Sequence, residues 1–95
     1  MIRAKIVALI LSVFGVHGHQ AVDVATCESK LQPSVVSHGN VGLFQVNQIH
    51  RRRGESFASF ARRMKDPRTN VLFAWRLSRH GTDFSPWRWS QRCWS

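Results

Sequence analysis

Apolar residues fall along this chain in distinct rhythms. From Ala4 to Val13 they are nearly continuous, with Ile6, Val7, Ala8, Leu9, Ile10 and Leu11 in a row, and with no Pro or Gly inside it the run predicts an apolar helix over 4–13. Gly15 and Gly18 break the pattern. From His19 the spacing turns helical again, with Ala21, Val22, Ala25 and Leu31 on one face. Pro33 predicts the end of that helix at about Gln32, because a residue before proline is pushed out of the helical region. Residues 34–40 are turn-forming, with Ser37, His38, Gly39 and Asn40 together. Val41 to Val46 reads as a short strand or as an extended loop entering a helix. Over 55–64 apolar and basic residues alternate at helical spacing, Phe57, Phe60, Ala61 and Met64 inward and Arg62, Arg63 and Lys65 outward, with Ser56 as N-cap. Asp66-Pro67 predicts the start of the next helix: the Asp side chain accepts from an unpaired backbone N–H, and proline at the first position presets the backbone angle. Val71, Ala74, Trp75 and Leu77 mark its buried face, and Gly81 stops it. The Trp-rich tail from Phe84 to Ser95 follows neither period. The pattern predicts a small, mainly α-helical domain of four or five helices with long loops.

Length and composition narrow this picture. Ninety-five residues hold one hydrophobic core, so the chain reads as a single domain over 1–95, and an apolar fraction of 43% argues against disorder. Lys and Arg number 14 against 5 Asp and Glu, a net charge of +9, which predicts a polyanionic partner: nucleic acid, an anionic membrane or a bacterial wall. The shortage of acids confines any carboxylate chemistry to Asp23, Glu28, Glu55, Asp66 and Asp83.

The N-terminus reads two ways. Arg3 and Lys5 before the apolar stretch 6–16 resemble a signal peptide, with Gly18 or Ala21 as the small residue before a cut. The stretch 6–16 is too short to span a membrane, which takes about 20 apolar residues. The other reading, which we prefer, makes residues 1–21 the first helix of the domain. Cys27 and Cys93 have no Cys or His at metal-site spacing. They could pair in an oxidising compartment, where closing so long a loop stabilises by about 4 kcal/mol, or stay as two reduced, buried thiols.

One constellation carries chemistry. Cys27-Glu28-Ser29 closes an apolar helix, Pro33 follows, and then comes Asn40-Val41-Gly42-Leu43-Phe44-Gln45-Val46-Asn47; further on stand Asp66-Pro67, Asn70, Ala74, Leu77 and Gly81. In order and spacing this resembles the lysozyme-like lytic transglycosylase superfamily, which includes soluble lytic transglycosylases and goose-type lysozyme-like proteins. Its members carry a Glu-Ser pair, a Gly-Leu-Phe/Met-Gln segment and a downstream helical Asn. The resemblance covers residues 13–90. It implies a small lysozyme-like helical domain with a catalytic cleft. It also argues for the helix reading of the N-terminus, since a cut after Ala21 would leave Glu28 on a helix of under three turns.

The resemblance implies Glu28 as the catalytic residue and Ser29, Gly42, Leu43, Phe44, Gln45, Asn47 and Asn70 as substrate-binding residues, with no metal and no cofactor. Bottom-up, cleavage of a glycosidic bond needs a proton on the leaving oxygen, and a carboxyl group supplies it at neutral pH only when an apolar pocket raises its pKa. Glu28, at the end of an apolar helix, is the candidate on those terms; the bland alternative is an exposed Glu paired with one of the arginines. Gln45 and Asn70 offer hydrogen bonds without titrating, though each could instead satisfy backbone. Gly42 would let backbone approach the glycan closely. His50, beside Arg51 to Arg53, reads as a surface residue or a substrate contact. Phe44, Trp75, Trp87 and Trp89 are candidates for stacking on sugar faces, with core packing the better reading for Trp75.

Hydrolysis commonly uses two carboxylates. Only Glu28 falls in a motif here: Asp66 reads as a helix cap, and Asp23 sits off the Glu28 face. A single acid/base favours lytic transglycosylation of the bond between N-acetylmuramic acid and N-acetylglucosamine over hydrolysis. The expected partners are peptidoglycan strands and anionic wall polymers, the protein acting as a monomer at the bacterial wall, outside the cytoplasm or released by a phage. Two other functions compete. Arg51, Arg52, Arg53, Arg62 and Arg63 with interleaved Trp could grip nucleic acid, but no nucleic-acid motif is present. A cationic membrane-active protein anchored by the first helix is the third reading.

Overall fold

The computed structural model describes residues 2–95, so Met1 lies outside the description. Five α-helices are found among them: α1 (Ile2–Phe14), α2 (Gly18–Ser29), α3 (Phe57–Lys65), α4 (Pro67–Leu77) and α5 (Gln91–Trp94). A three-stranded antiparallel sheet of β1 (Val36–Ser37), β2 (Asn40–Val41) and β3 (Val46–Asn47), in that order, sits between α2 and α3. Single turns of 3-10 helix link α1 to α2 and follow β3, and a longer 3-10 segment, Ser85–Ser90, leads into α5.

The first two helices form where the apolar rhythm places them. On α1, Ile6, Ile10 and Phe14 recur every four residues and are buried, while Ala8 and Ser12 face out. The chain then doubles back. Gly15 adopts φ 56°, and Gly18 lies so close to the backbone of Leu11 that a Cβ there would meet it. The helical run Arg3–Ser29 is long and apolar enough to cross a membrane by length and composition, whereas stretch 6–16 alone is not. Here it is folded at Gly15–Gly18, and Ile6, Ile10, Phe14, Ala21, Val24 and Ala25 enter the core.

α2 ends at Ser29, three residues before the predicted stop at Gln32. Lys30 and Leu31 both take positive φ, 55° and 61°, and the Lys30 N–H closes the last turn on the Thr26 carbonyl. The predicted turn at 37–40 is a hairpin with His38 and Gly39 at its two central positions, both at positive φ as a two-residue hairpin of this twist requires. Residues 41–46 are neither one strand nor a helix entry: β2 stops at Val41, a turn spans Gly42 to Gln45, and β3 begins at Val46. Ser56 caps α3 by accepting from the Ser59 N–H, and Asp66 caps α4 by accepting from the Thr69 N–H. α4 stops at Leu77, four residues before Gly81, in a tight turn where Arg79, His80 and Gly81 are all left-handed.

Two apolar clusters result. The larger joins α1, α2 and α4 with Leu43, Phe44, Phe84 and Trp87; the smaller joins Val41 and Val46 of the sheet to Phe60, Ala61 and Met64 of α3. Rings bind the larger cluster, with Phe14 stacked at 5.7 Å on Phe44 and at 6.0 Å on Phe84, and Trp87 edge-on to Phe44 at 5.7 Å. A cleft opens between the sheet and the α2–tail side.

Candidate active site

The cleft, of about 410 Å³, has Glu28 of α2 on one wall, Asn40, Gln45, Val46 and Asn47 of the sheet and its turn on another, and Leu77, Pro86, Trp87 and Trp89 beyond. His50 also lines it.

Glu28 sits on the last turn of α2, half-buried, where desolvation pushes its carboxyl above the usual range. One hydrogen bond opposes this: the Ser90 hydroxyl donates to Oε2 and pulls the pKa back down. Oε1 carries no hydrogen bond among the described residues. Ser90 is itself fixed by the Trp94 Nε1–H, which donates to its Oγ at 3.1 Å, and it lies 3.1 Å from the Trp87 carbonyl, a second acceptor. The tail holds this position because Cys93 is joined to Cys27, next to Glu28, with 6.0 Å between their Cα atoms. The carboxyl group is thus gripped at one oxygen and open at the other, in partly apolar surroundings that favour its protonated form.

Glu28 is the only carboxylate lining the cleft among the described residues. The rest of the acids are committed elsewhere or face out. Glu55 accepts two hydrogen bonds from Arg63, at 2.8 and 3.0 Å, and one from the Arg52 N–H, which hold its pKa at about 2. Asp66 and Asp83 accept from Thr69 and Ser85 and are held low by those bonds. Asp23 lies on the exposed face of α2.

One half-buried acid with an open oxygen, in a cleft between a small sheet and a helical lobe, is an arrangement that can pass a proton to a bound ligand. In agreement, the family model described as "Lysozyme like domain" matches residues 10–89. The chain belongs to the lysozyme-like domain family. This places it among glycosidases and transglycosylases that act on peptidoglycan, and its action at the cell wall. No curated protein and no solved structure matches it.

Within this lysozyme-like domain, the residues expected to bind substrate divide into two groups. Gln45 and Asn47 line the cleft. Gln45 takes φ 51°, and its Nε2 donates to the Val35 and Gly42 carbonyls at 3.0 Å each, so the amide is pinned while Oε1 has no partner among the described residues. Asn47 donates to Asn40 at 2.9 Å and accepts from the Ile49 N–H.

Ser29, Gly42, Leu43, Phe44 and Asn70 are buried and lie behind the cleft wall instead of in it. The reason is hydrogen-bond supply. The turn 42–45 leaves backbone groups that no strand partner satisfies, and buried polar groups must be paired. Ser29 Oγ donates to the Leu43 carbonyl at 2.8 Å. Asn70, fully buried, accepts from the Phe44 N–H and donates to the Val41 and Met64 carbonyls, all at 2.9 Å. Gly42, at φ 81°, passes so close to Asn70 and the Met64 carbonyl that a Cβ would collide with both. Its close approach is to Asn70 of α4 and to the end of α3.

The aromatic candidates divide too. Phe44 is core. Trp75 packs against the core and stacks on His80 at 3.9 Å, away from the cleft. Trp87 is 6% exposed and donates from Nε1 to the Phe44 carbonyl at 2.8 Å, showing the cleft only an edge. Trp89 is 90% exposed at the cleft rim, with the Arg88 guanidinium 5.7 Å from its ring centre. Asn40 and Ser90 were not among the site residues expected from sequence. Asn40 stood at the head of the motif segment but was read as a turn former and not as a substrate contact, and nothing local marks Ser90.

Proposed function

We propose that this chain is a lytic transglycosylase that cleaves the β-1,4 bond between N-acetylmuramic acid and N-acetylglucosamine, with Glu28 as acid and then base. The observation that carries the reading is the isolation of Glu28: a desolvated carboxyl with one open oxygen and no second carboxylate beside it.

The proton on Glu28 passes to the glycosidic oxygen as the C1–O bond breaks. The muramyl 2-acetamido oxygen closes on C1 and holds the positive charge. Glu28, now ionised, takes the proton of the 6-hydroxyl, whose oxygen attacks C1 and releases the acetamido group. The product is a 1,6-anhydromuramyl end; Glu28 is protonated again and no water is consumed. Burial favours the first step, and the Ser90 hydroxyl favours the ionised state that the second requires. Gln45 and Asn47 would orient the strand, and the exposed face of Trp89 suits stacking on a sugar ring. The Cys27–Cys93 disulfide suits an oxidising setting outside the bacterial cytoplasm.

Mass spectrometry of the fragments released from purified peptidoglycan tests this directly. Anhydromuramyl ends are expected; reducing ends would replace the reading with hydrolysis. Glu28→Gln should lower turnover by at least about a thousandfold while strand binding persists. A Gln variant that cleaves like the parent would remove Glu28 from the mechanism.

A further inference from the structure

Beside the catalytic cleft lies a second pocket, of about 270 Å³, which shares His50 with it as a common wall. Arg52, Arg63 and Arg76 converge on it, Thr69 joins them, and Leu72 and Phe73 form a partly buried apolar floor. His50 is braced edge-on against Phe73, with 5.3 Å between ring centres.

The three guanidinium groups are not equivalent. Arg63 is occupied by its two hydrogen bonds to Glu55. Those of Arg52 and Arg76 are exposed and have no hydrogen bond or ion pair among the described residues. Glu55 feels the charge of Arg52 as well as Arg63, and Asp66 accepts from the Thr69 hydroxyl at 2.7 Å, but two carboxylates against three guanidiniums leave the pocket net positive. Among the described residues no acid pairs with the guanidinium of Arg52 or Arg76: Asp66 is committed to Thr69 as a helix cap, Asp83 caps a turn, Asp23 faces solvent on α2 and Glu28 sits in the first cleft.

We propose that the second pocket is a carboxylate-binding subsite for the stem peptide of the strand lying in the first cleft. This rests on the peptidoglycan reading of that cleft. A glycan seated along Glu28, Gln45 and His50 carries a peptide on the lactyl ether of every second sugar, and that peptide ends in carboxylates. A substituent leaving the cleft past His50 enters the arginine pocket. Planar guanidinium forks match a carboxylate through paired N–H donors, and the apolar floor strengthens the attraction by excluding water from one side. Arg52 and Arg76 supply the open forks, while Arg63, locked by Glu55, fixes the pocket's shape.

The test uses Glu28→Gln as the background, so that strands stay intact, and follows Trp fluorescence on titration with soluble glycan strands. One batch retains its peptides and the other has been stripped of them by an amidase. Peptide-bearing strands should bind on the order of tenfold more tightly, and adding Arg52→Ala with Arg76→Ala should erase that difference while leaving the affinity for stripped strands unaltered. Both side chains are exposed, so folding is spared, and circular dichroism confirms it. Equal binding of the two batches overturns the subsite and leaves the cleft reading standing. Failure of both to bind overturns the two readings together. Tight binding that depends on phosphodiester wall polymers and not on peptides assigns the arginines to phosphate and overturns the proposal.

Discussion

Replacing Ser90 with alanine should move the pH profile of the reaction upward. The Ser90 hydroxyl stabilises ionised Glu28 against the desolvation that favours the neutral acid. Without it the carboxyl pKa, already above its ordinary range, rises further. Glu28 then stays protonated to higher pH, so the alkaline limb of kcat/KM shifts up, while the acid step itself slows because a carboxyl of higher pKa is a weaker proton donor. Ser90→Thr keeps the hydroxyl and should restore the parent profile. An alkaline limb that does not move in the alanine variant would show that Ser90 is a bystander. Asn70 behaves differently, because it acts through the fold. Asn70→Ala strands the Phe44 N–H and the Val41 and Met64 carbonyls in the interior, and should cost about 3–5 kcal/mol by denaturant unfolding. Asn70→Asp should be no milder: it keeps an acceptor for Phe44 but turns a carboxylate oxygen toward two carbonyls that need a donor.

At the scale of elements, α5 is the short helix that positions Ser90 through Trp94. It has four residues, its Cys93 is exposed, and the disulfide ties it to the end of α2. Reduction, or Cys27→Ser with Cys93→Ser, should lower stability by about 4 kcal/mol and release the tail from Glu28. Glu28 then gains water, its pKa falls toward the ordinary carboxylate range, and activity at neutral pH drops more than strand binding does. Activity unchanged under full reduction would show that α5 holds itself in place. The same element shows how far the sequence could be read. α1, α3 and α4 were legible because each carries its own run or cap: the unbroken apolar stretch of 4–13, Ser56, and Asp66-Pro67. Glu28 was legible because a motif is local. The end of α2 was not, because Lys30 and Leu31 take left-handed angles without the glycine or asparagine that would announce them. Ser90 was not, because it meets Glu28 across 62 positions and a hydroxyl carries no pattern. Asn70 and Ser29 were placed in the cleft because an amide or hydroxyl that binds sugar reads the same as one that satisfies a buried turn. Only the geometry of residues 42–45 separates the two.

For the molecule as a whole, the deciding quantity is how little core 95 residues can hold. α1 supplies Ile6, Ile10 and Phe14 to the larger cluster, and Val7, Leu9 and Val13 pack against it. Phe14 is the ring on which both Phe44 and Phe84 stack. Burying three such side chains contributes about 5–8 kcal/mol, comparable to the whole stability of a small domain. Phe44 in turn receives the Trp87 indole N–H at its carbonyl, so uncovering Phe44 loosens the segment that carries Ser90. A chain beginning at Val22, the cut a signal-like reading would make, should therefore lose cooperative unfolding and the near-UV circular dichroism of its packed Trp side chains. It should also lose activity, even with the disulfide intact. The match to the lysozyme-like family points the same way, since it begins at Ile10, inside α1. A folded, active chain of 22–95 would show that the remaining helices close over Phe44 and Phe84 by themselves, and α1 would then be an addition to the domain and not part of it.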